Sequence, residues 1–431
     1  MLIEFSVTNH RSIAHEQTVS LVASNQREGH SERVATVDGA LPLNVLTSAL
    51  IMGKNGGGKS SFVNALEIAQ RMIVGSAVER QSDEPLAWEP HLLDHDFTEQ
   101  DTKFRILFSV HQIVYQYEFS FNNKRISYES LLVADKTSRF RKLFERELKE
   151  GEYSYSFGEA LKGDKATWRS ATRRNALFLS TAIQLNSKTL MEPYRWLSTF
   201  LNVMDENDNY NYYTAKKCID NQNKETVIEF LSLFDIHVDD ILIEEEDYDQ
   251  EALLKTFTQE FLNIFTETVP KKRRKVKFIR RSTDGTLVPI RLEDESSGSK
   301  AIFGLAGPIF DSLKKGVCLV VDEINTNLHP LVLHALVNLY SDQRINRNRA
   351  QLLFTSHDIS LLRQKYFRRD QVWFAEKDLS GQTKIIPLSD YSPRKNEALD
   401  QGYMSGRYGG IPVIGSPIAI ANLENFWNEV E

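Results

Sequence analysis

Two short runs of residues carry recognisable chemistry. The first is Ile51-Met52-Gly53-Lys54-Asn55-Gly56-Gly57-Gly58-Lys59-Ser60-Ser61, which satisfies G-x-x-x-x-G-K-[ST] through Gly53, Gly58, Lys59 and Ser60. Glycines let a backbone turn tightly enough for successive N–H groups to point at phosphate oxygens. A helix starting at Lys59 adds its positive end to the same place. The pattern therefore predicts a nucleoside triphosphate cradled by Asn55, Gly56, Gly57, Gly58, Lys59, Ser60 and Ser61. Lys59 reaches the β- and γ-phosphates, and the Ser60 hydroxyl is a ligand for Mg²⁺. The second run is Val317-Cys318-Leu319-Val320-Val321-Asp322-Glu323, in which apolar residues end on two carboxylates. Asp322 is suited to hold Mg²⁺, through water, and Glu323 to polarise the attacking water as general base.

Both runs need elements to position them. Val45 to Met52 is a mostly apolar run ahead of the glycines, and Ser60 to Val74 has helical spacing of Phe62, Leu66, Ile68 and Ile73. Strand, glycine loop and helix is the context that a phosphate loop requires. Val317 to Val321 reads as a strand buried on both faces. Lys59 and Asp322 stand 263 residues apart, too far for a minimal phosphate-loop domain. The spacing predicts one nucleotide fold interrupted by an insertion. Its N-terminal half would occupy 1–135, a mostly helical insertion 136–268, and its C-terminal half 269–431.

Within these parts, Leu2 to Val7 and Gln17 to Val22 read as strands, and 103–133 as an antiparallel meander turning at Asn122-Asn123-Lys124. Helical patterns fall at Leu177 to Leu185, Trp196 to Met204 and Val227 to Phe234. A hairpin over Lys275 to Leu292 turns at Asp284-Gly285. After it come helices over 300–313 and 330–340, a buried strand over 351–355 and a hairpin near Leu379-Ser380-Gly381.

Composition narrows the class. The 431 residues are 41% hydrophobic and 26% charged, an ordinary globular balance. The two cysteines, Cys218 and Cys318, exclude a disulfide scaffold and a cysteine-based zinc site. No secretory leader opens the chain, and no apolar run is long enough to span a bilayer, so no membrane association is expected. The net charge of −7 conceals a local asymmetry. Asp239, Asp240, Glu244, Glu245, Glu246, Asp247, Asp249 and Glu251 form an acidic block. Lys271, Lys272, Arg273, Arg274, Lys275, Lys277, Arg280 and Arg281 form a basic one. The basic segment 271–281 is either a solvated hairpin face or a contact for nucleic acid or an acidic partner. The acidic block is either a solvated face or the partner of the basic one, in this chain or a neighbour.

These motifs in order resemble the ABC-type ATPase heads shared by SMC, RecF and OLD-family proteins. The nearest likeness is to bacterial AAA ATPase family 15, which includes ATPase subunits of the PARIS phage-defence systems. Val7-Thr8-Asn9-His10-Arg11-Ser12 resembles the family's opening strand and turn, with His10 where an aromatic is usual. Glu295-Ser296-Ser297-Gly298-Ser299-Lys300 is similar to its signature. Asp322-Glu323-Ile324-Asn325-Thr326-Asn327-Leu328-His329-Pro330 is similar to its D-E-x-D-x-S-L-H-P, with Asn325 and Asn327 where Asp and Ser are usual. Thr355-Ser356-His357-Asp358 resembles the switch-histidine strand, and Tyr403 to Pro412 the C-terminal Y-x-x-G-R-Y-G-x-x-P.

The resemblance implies an α/β fold, an ABC-type P-loop ATPase head with an antiparallel β subdomain and a helical insertion. It implies ATP and Mg²⁺ as cofactors and a homo-oligomer whose heads sandwich nucleotide. Ser297 and Gly298 of one copy would meet the γ-phosphate held by another. His357 would join Lys59 and Glu323 in catalysis by sensing that phosphate, and Arg11 would contact the nucleotide. Tyr403 to Pro412 would pack the tail onto the head or onto a neighbour. It further implies a bacterial, cytoplasmic protein that senses or scaffolds, controlling a separate effector, a toxin or Toprim-type nuclease, in antiphage defence. The alternative is a RecF- or SMC-like DNA-repair ATPase that grips DNA itself. A third possibility is a degenerate head that binds nucleotide and hardly turns over.

Overall fold

The computed structural model describes residues 1–24, 30–39, 41–79, 81–134, 137, 139–204, 210–247, 272–363, 366–394 and 397–412. Eighteen strands are described. They are β1 (Leu2–Thr8), β2 (Gln17–Ser20), β3 (Val34–Val37), β4 (Leu43–Leu46), β5 (Ser48–Met52), β6 (Thr102–Val110), β7 (Ile113–Phe121), β8 (Ile126–Ala134), β9 (Phe140–Lys149), β10 (Glu152–Phe157), β11 (Leu201–Met204), β12 (Asp240–Asp247), β13 (Lys272–Arg281), β14 (Leu287–Arg291), β15 (Cys318–Val321), β16 (Gln351–Ser356), β17 (Val372–Lys377) and β18 (Thr383–Pro387).

The central sheet has the order β11-β15-β16-β5-β17-β18. All neighbours in it are parallel except the antiparallel β17–β18 pair. β5, β15 and β16 are buried along their whole length, as strands covered on both faces must be. Alternation sorts their side chains. Ala49, Ile51, Cys318, Val320 and Leu353 join one core, and Leu50, Met52, Leu319, Val321, Leu352 and Phe354 the other.

The first core lies beneath a seven-stranded antiparallel sheet, β10-β9-β8-β7-β6-β1-β2, and encloses the helix Lys59–Gly75. The second is covered by the helices Ser297–Lys315 and Pro330–Ser341. The result is a layered α/β fold, a largely parallel sheet bearing the phosphate-loop motif beside an antiparallel subdomain, which agrees with the fold class that the resemblance implies.

Among its described residues, the stretch 136–268 carries strands as well as the expected helices. Its described helices, Lys165–Ala171, Phe178–Gln184, Met191–Arg195, Tyr210–Lys217 and Asn221–Ser232, alternate with β9, β10, β11 and β12. These strands join three different sheets. Trp196 to Met204 is a π-helical turn, Trp196–Phe200, running into β11. Leu201-Asn202-Val203-Met204 is too short for its periodicity to separate helix from strand, and parallel pairing with β15 decides for strand.

The two charge blocks meet. β12 pairs antiparallel with β13, setting Glu244 opposite Lys275 and Glu245 opposite Arg274. Ion pairs follow at 2.7 Å for Lys277–Glu244, 2.9 Å for Arg274–Glu245 and 3.0 Å for Arg281–Asp239. Among the described side chains of the basic segment, Arg274, Lys277 and Arg281 are thus matched by carboxylates of the acidic block. Of the charge-block residues, Asp249, Glu251 and Lys271 lie outside the described residues. Cys218 and Cys318 are both free and buried, and burial pushes each thiol up to about 12.

Candidate functional site

β5, β15 and β16 run parallel, so their C-terminal ends open on one edge of the sheet. That edge carries the glycine loop after β5, Asp322-Glu323 after β15 and His357 after β16. Parallel topology thus closes the gap of 263 residues. A cleft of about 370 Å³ lies there, lined by Asn55, Gly56, Gly57, Gly58, Lys59, Ser60, Ser61, Glu323, Thr326, His357 and Lys377.

The loop conformation requires its glycines at two points. Gly58 has φ 102°, and a Cβ there would lie 2.0 Å from Thr383 Oγ1. A Cβ on Gly53 would lie 2.2 Å from the Ala375 carbonyl oxygen. The loop folds back against β17 and β18, and the C-terminal motif supports it from behind. Lys54 N–H donates to the Gly410 carbonyl at 2.7 Å, and Tyr403 Oη donates to the same oxygen at 2.9 Å. Tyr403 and Tyr408 both stack on Phe374 of β17.

Lys59 is 3% exposed. Its ammonium donates to the carbonyls of Gly53 (3.0 Å) and Lys54 (3.3 Å) and meets Glu323 Oε1 at 3.0 Å. The other carboxylate oxygen, Oε2, accepts from His357 Nδ1 at 2.9 Å. Asn325 completes the arrangement. Its Oδ1 accepts from the His357 backbone N–H at 3.3 Å, and its amide nitrogen lies 3.1 Å from Nε2. The same amide nitrogen lies 3.2 Å from Nδ1, so Asn325 covers both ring nitrogens while Nδ1 faces the Glu323 carboxylate. Asn325, which stands where the resembling family has Asp, is therefore the residue that orients His357. Glu323 has φ 46°, sparsely populated for a side chain of its size and of a kind that clusters at functional sites. Its own N–H donates to Thr355 Oγ1 at 2.7 Å, which holds the turn.

Asp322 is 6% exposed and accepts from Thr355 Oγ1 at 2.5 Å. Ser60 is exposed in the cleft. Among the described residues no group of three or more His, Cys, Asp and Glu side chains is placed to hold a metal ion. One hydroxyl and one carboxylate nonetheless suit Mg²⁺, which keeps most of its shell from phosphate and water. Ser60 and Asp322 would hold it, and what it supplies is neutralisation of phosphate charge.

The remaining sequence candidates lie apart. Arg11 is not in the phosphate cleft. Its Nε is 2.5 Å from Glu89 Oε2, and it lines an adjoining depression of about 600 Å³ with Trp88, Pro90, Leu92, Leu93 and Lys377. The Arg11 hydrogen bond holds the Glu89 carboxyl below its ordinary value. The opening turn is fastened to the loop, because Ser12 Oγ lies 2.9 Å from Ser61 Oγ and 2.8 Å from Thr383 Oγ1. His10 is wholly buried and hydrogen-bonded to Asn64 at 3.0 Å, and burial lowers its pKa to about 4.

Ser297 and Gly298 line neither cleft. Ser296 caps the helix Ser297–Lys315 by accepting from Ser299 N–H at 3.0 Å, leaving Ser297 exposed at its first turn. Glu295 just before it pairs with Arg280 at 3.0 Å.

Sequence reasoning missed Lys377, which reaches the cleft from β17 with no local pattern to mark it. Thr355 and Gly410 fell within motifs of the resemblance, but their contacts to Asp322 and Lys54 were not foreseen.

A family model described as "AAA domain, putative AbiEii toxin, Type IV TA system" matches residues 48–363. The comparison with curated proteins returns no match. Among solved structures, the chain is 12% identical to an SMC head domain from Thermotoga maritima, covering 90% of this chain and 98% of that one with a TM-score of 0.39. It is 11% identical to an SMC head bound to the C-terminal winged-helix domain of ScpA, covering 89% and 96% with a TM-score of 0.39. For an SMC head with an extended coiled coil, bound to the C-terminal domain of ScpA derived from Pyrococcus furiosus, identity is 12%, coverage 91% and 98%, and TM-score 0.35.

Proposed function

This chain belongs to the family described as "AAA domain, putative AbiEii toxin, Type IV TA system", and on that premise we propose that it binds and hydrolyses ATP with Mg²⁺. The observation that carries the reading is the convergence of Lys59, Glu323 and His357 on one glycine-lined cleft.

The backbone N–H groups from Asn55 to Ser61 and the start of the helix at Lys59 bind the phosphate tail. Phosphate oxygens compete with Glu323 for the Lys59 ammonium, and the freed carboxylate faces the γ-phosphate. Glu323 takes a proton from water as the water oxygen bonds to the γ-phosphorus and the bond to the bridging oxygen breaks. His357, held by Asn325, stays against Glu323 and keeps its carboxylate aimed. The depression beside Arg11 and Trp88 gives the base an apolar wall next to the phosphate cleft.

Ser297 and Gly298 act on a second copy's nucleotide. The exposure of Ser297 at a capped helix start, outside its own cleft, supports that role. The family's description, a putative toxin of a type IV toxin–antitoxin system, supports a place in such a system; control of a separate toxin or Toprim-type nuclease in antiphage defence rests on the sequence resemblance alone. The alternative is a RecF- or SMC-like ATPase that grips DNA itself; Arg274, Lys277 and Arg281 of the basic segment are paired with carboxylates of this chain, so such a grip would have to draw on other cations or break these pairs.

Phosphate release from ATP tests the reading. Lys59→Ala and Glu323→Gln are each expected to lower turnover by roughly 10²- to 10³-fold. Lys59→Ala is also expected to weaken nucleotide binding, whereas Glu323→Gln retains it. Wild-type turnover in either variant would remove the site.

A further inference from the structure

At the opposite end of the central sheet lies a second cleft, of about 370 Å³, within the range of small-molecule sites. It sits on the seam between the β6–β7 turn, the C-terminal end of the helix Ser297–Lys315 and the approach to β16. Its wall carries three permanent cations, Arg195, Lys315 and Arg349, together with His111. The wall's lone carboxylate among the described residues, Glu192, is 3.3 Å from His111. Lys315 pairs with Asp311 at 3.1 Å, and Arg349 donates to the Thr36 carbonyl. The Arg195 guanidinium is exposed and has no partner among the described residues. Trp196 and Phe200 supply apolar surface beside these charges.

The backbone there is itself unusual. Trp196–Phe200 is a π-helical turn, a form that is rare and often found at functional sites. It is bonded to the phosphate-loop helix, since Gln70 Nε2 donates to the carbonyls of Leu197 (3.3 Å) and Leu201. The chain then continues as β11 beside β15, and the carbonyl of Met204 accepts from Asp322 N–H at 3.2 Å. Residues 195–204 therefore run from this cleft to the acidic end of the catalytic edge, touching the Lys59 helix on the way.

We propose that this cleft binds a small anion with a flat apolar body, and that residues 195–204 transmit its occupancy to the nucleotide site. The cationic wall recognises the negative group and the Trp196–Phe200 turn the apolar body. The transmission clause rests on the proposed ATPase reading, but the binding clause does not.

Titration of the full chain with anilinonaphthalene sulfonate, without nucleotide, tests the site. Arg195→Glu is expected to weaken that binding by about tenfold, and Lys59→Ala to leave it unchanged. The uncharged analogue N-phenylnaphthylamine is expected to bind more weakly than the sulfonate. Because Arg195 is exposed and its side chain unpaired, the variant is expected to melt within a few degrees of wild type. Equal affinity in wild type and Arg195→Glu, or equal affinity for the uncharged analogue, would overturn the site. Saturating sulfonate is further expected to change ATP turnover at least about twofold in wild type, and not in Arg195→Glu. Binding through Arg195 with unchanged turnover would overturn the transmission. Absence of turnover in wild type would sink the ATPase reading and with it the transmission clause, leaving the binding result standing.

Discussion

At the scale of single residues, the site divides by how locally its logic is written. The phosphate loop was legible because all its parts lie within eight positions, and each residue type has one physical job. Asp322 and Glu323 were legible from an apolar strand ending in two acids. His357 was reached only through resemblance, and Asn325 stood out only as a departure. In the structure Asn325 is the residue that holds His357 against Glu323. Arg11, expected on the nucleotide, pairs with Glu89 and lines the depression adjoining the phosphate cleft. His10 gives a test in pH. Its pKa is about 4 in the fold against an ordinary 6.5, because burial opposes its charge. As pH falls from 6.5 towards 4, the unfolded chain takes up a proton that the folded chain refuses, so stability declines. Above 6.5 the contribution is fully present. Denaturant titrations are expected to show a loss of about 3 kcal/mol over that window. His10→Phe should flatten the slope while costing about 1 kcal/mol at neutral pH for the lost Asn64 bond. An unchanged slope in the variant would assign the acid sensitivity elsewhere.

At the scale of elements, the fold relies on side chains that satisfy backbone groups across long sequence gaps. Glu129 of β8 is wholly buried. It accepts from the N–H groups of Phe178 and Leu179, which open a short helix, and from Tyr117 Oη. Arg146 of β9, equally buried, donates to the carbonyls of Ala176 and Arg173 and lies 3.8 Å from Glu129. Burial raises the Glu129 pKa, with Arg146 opposing it. Glu129→Ala leaves a buried cation and orphaned donors, so chemical denaturation should show a loss of about 3–5 kcal/mol. A loss below about 1 kcal/mol would mean the network is dispensable.

A similar device steadies the signature helix. Pro308 has no N–H, so the Gly304 carbonyl lacks its helical donor, and Thr214 Oγ1 donates to it at 2.8 Å. None of this could be read from sequence, since Glu129, Arg146 and Thr214 follow no period. Short elements failed in the same way. Leu201 to Met204 was read as helix, and only its β15 neighbour makes it a strand. The long meander and the helix Lys59–Gly75 were legible because their periodicity lasts.

At the scale of the whole molecule, charge that looked like two exposed patches becomes one antiparallel ladder. Among the described side chains, Arg274, Lys277 and Arg281 are paired with carboxylates of the acidic block. Among the described residues no helix is long and apolar enough to cross a membrane. The cleft at the sheet edge holds Lys59, Glu323 and His357 together, while Ser297 is exposed at the start of its own helix. If a second copy completes each site, Lys59→Ala and Ser297→Arg damage opposite halves of it. In a mixed pair one site carries both lesions and the other carries neither. The most direct measurement is therefore ATP turnover of the two variants, alone and mixed. The account predicts at least about tenfold loss in each variant alone, and recovery on mixing to roughly a quarter of wild-type turnover for random pairing through C₂ contacts. Full activity of Ser297→Arg alone, or no recovery in a mixture shown to contain both variants in one assembly, would contradict it.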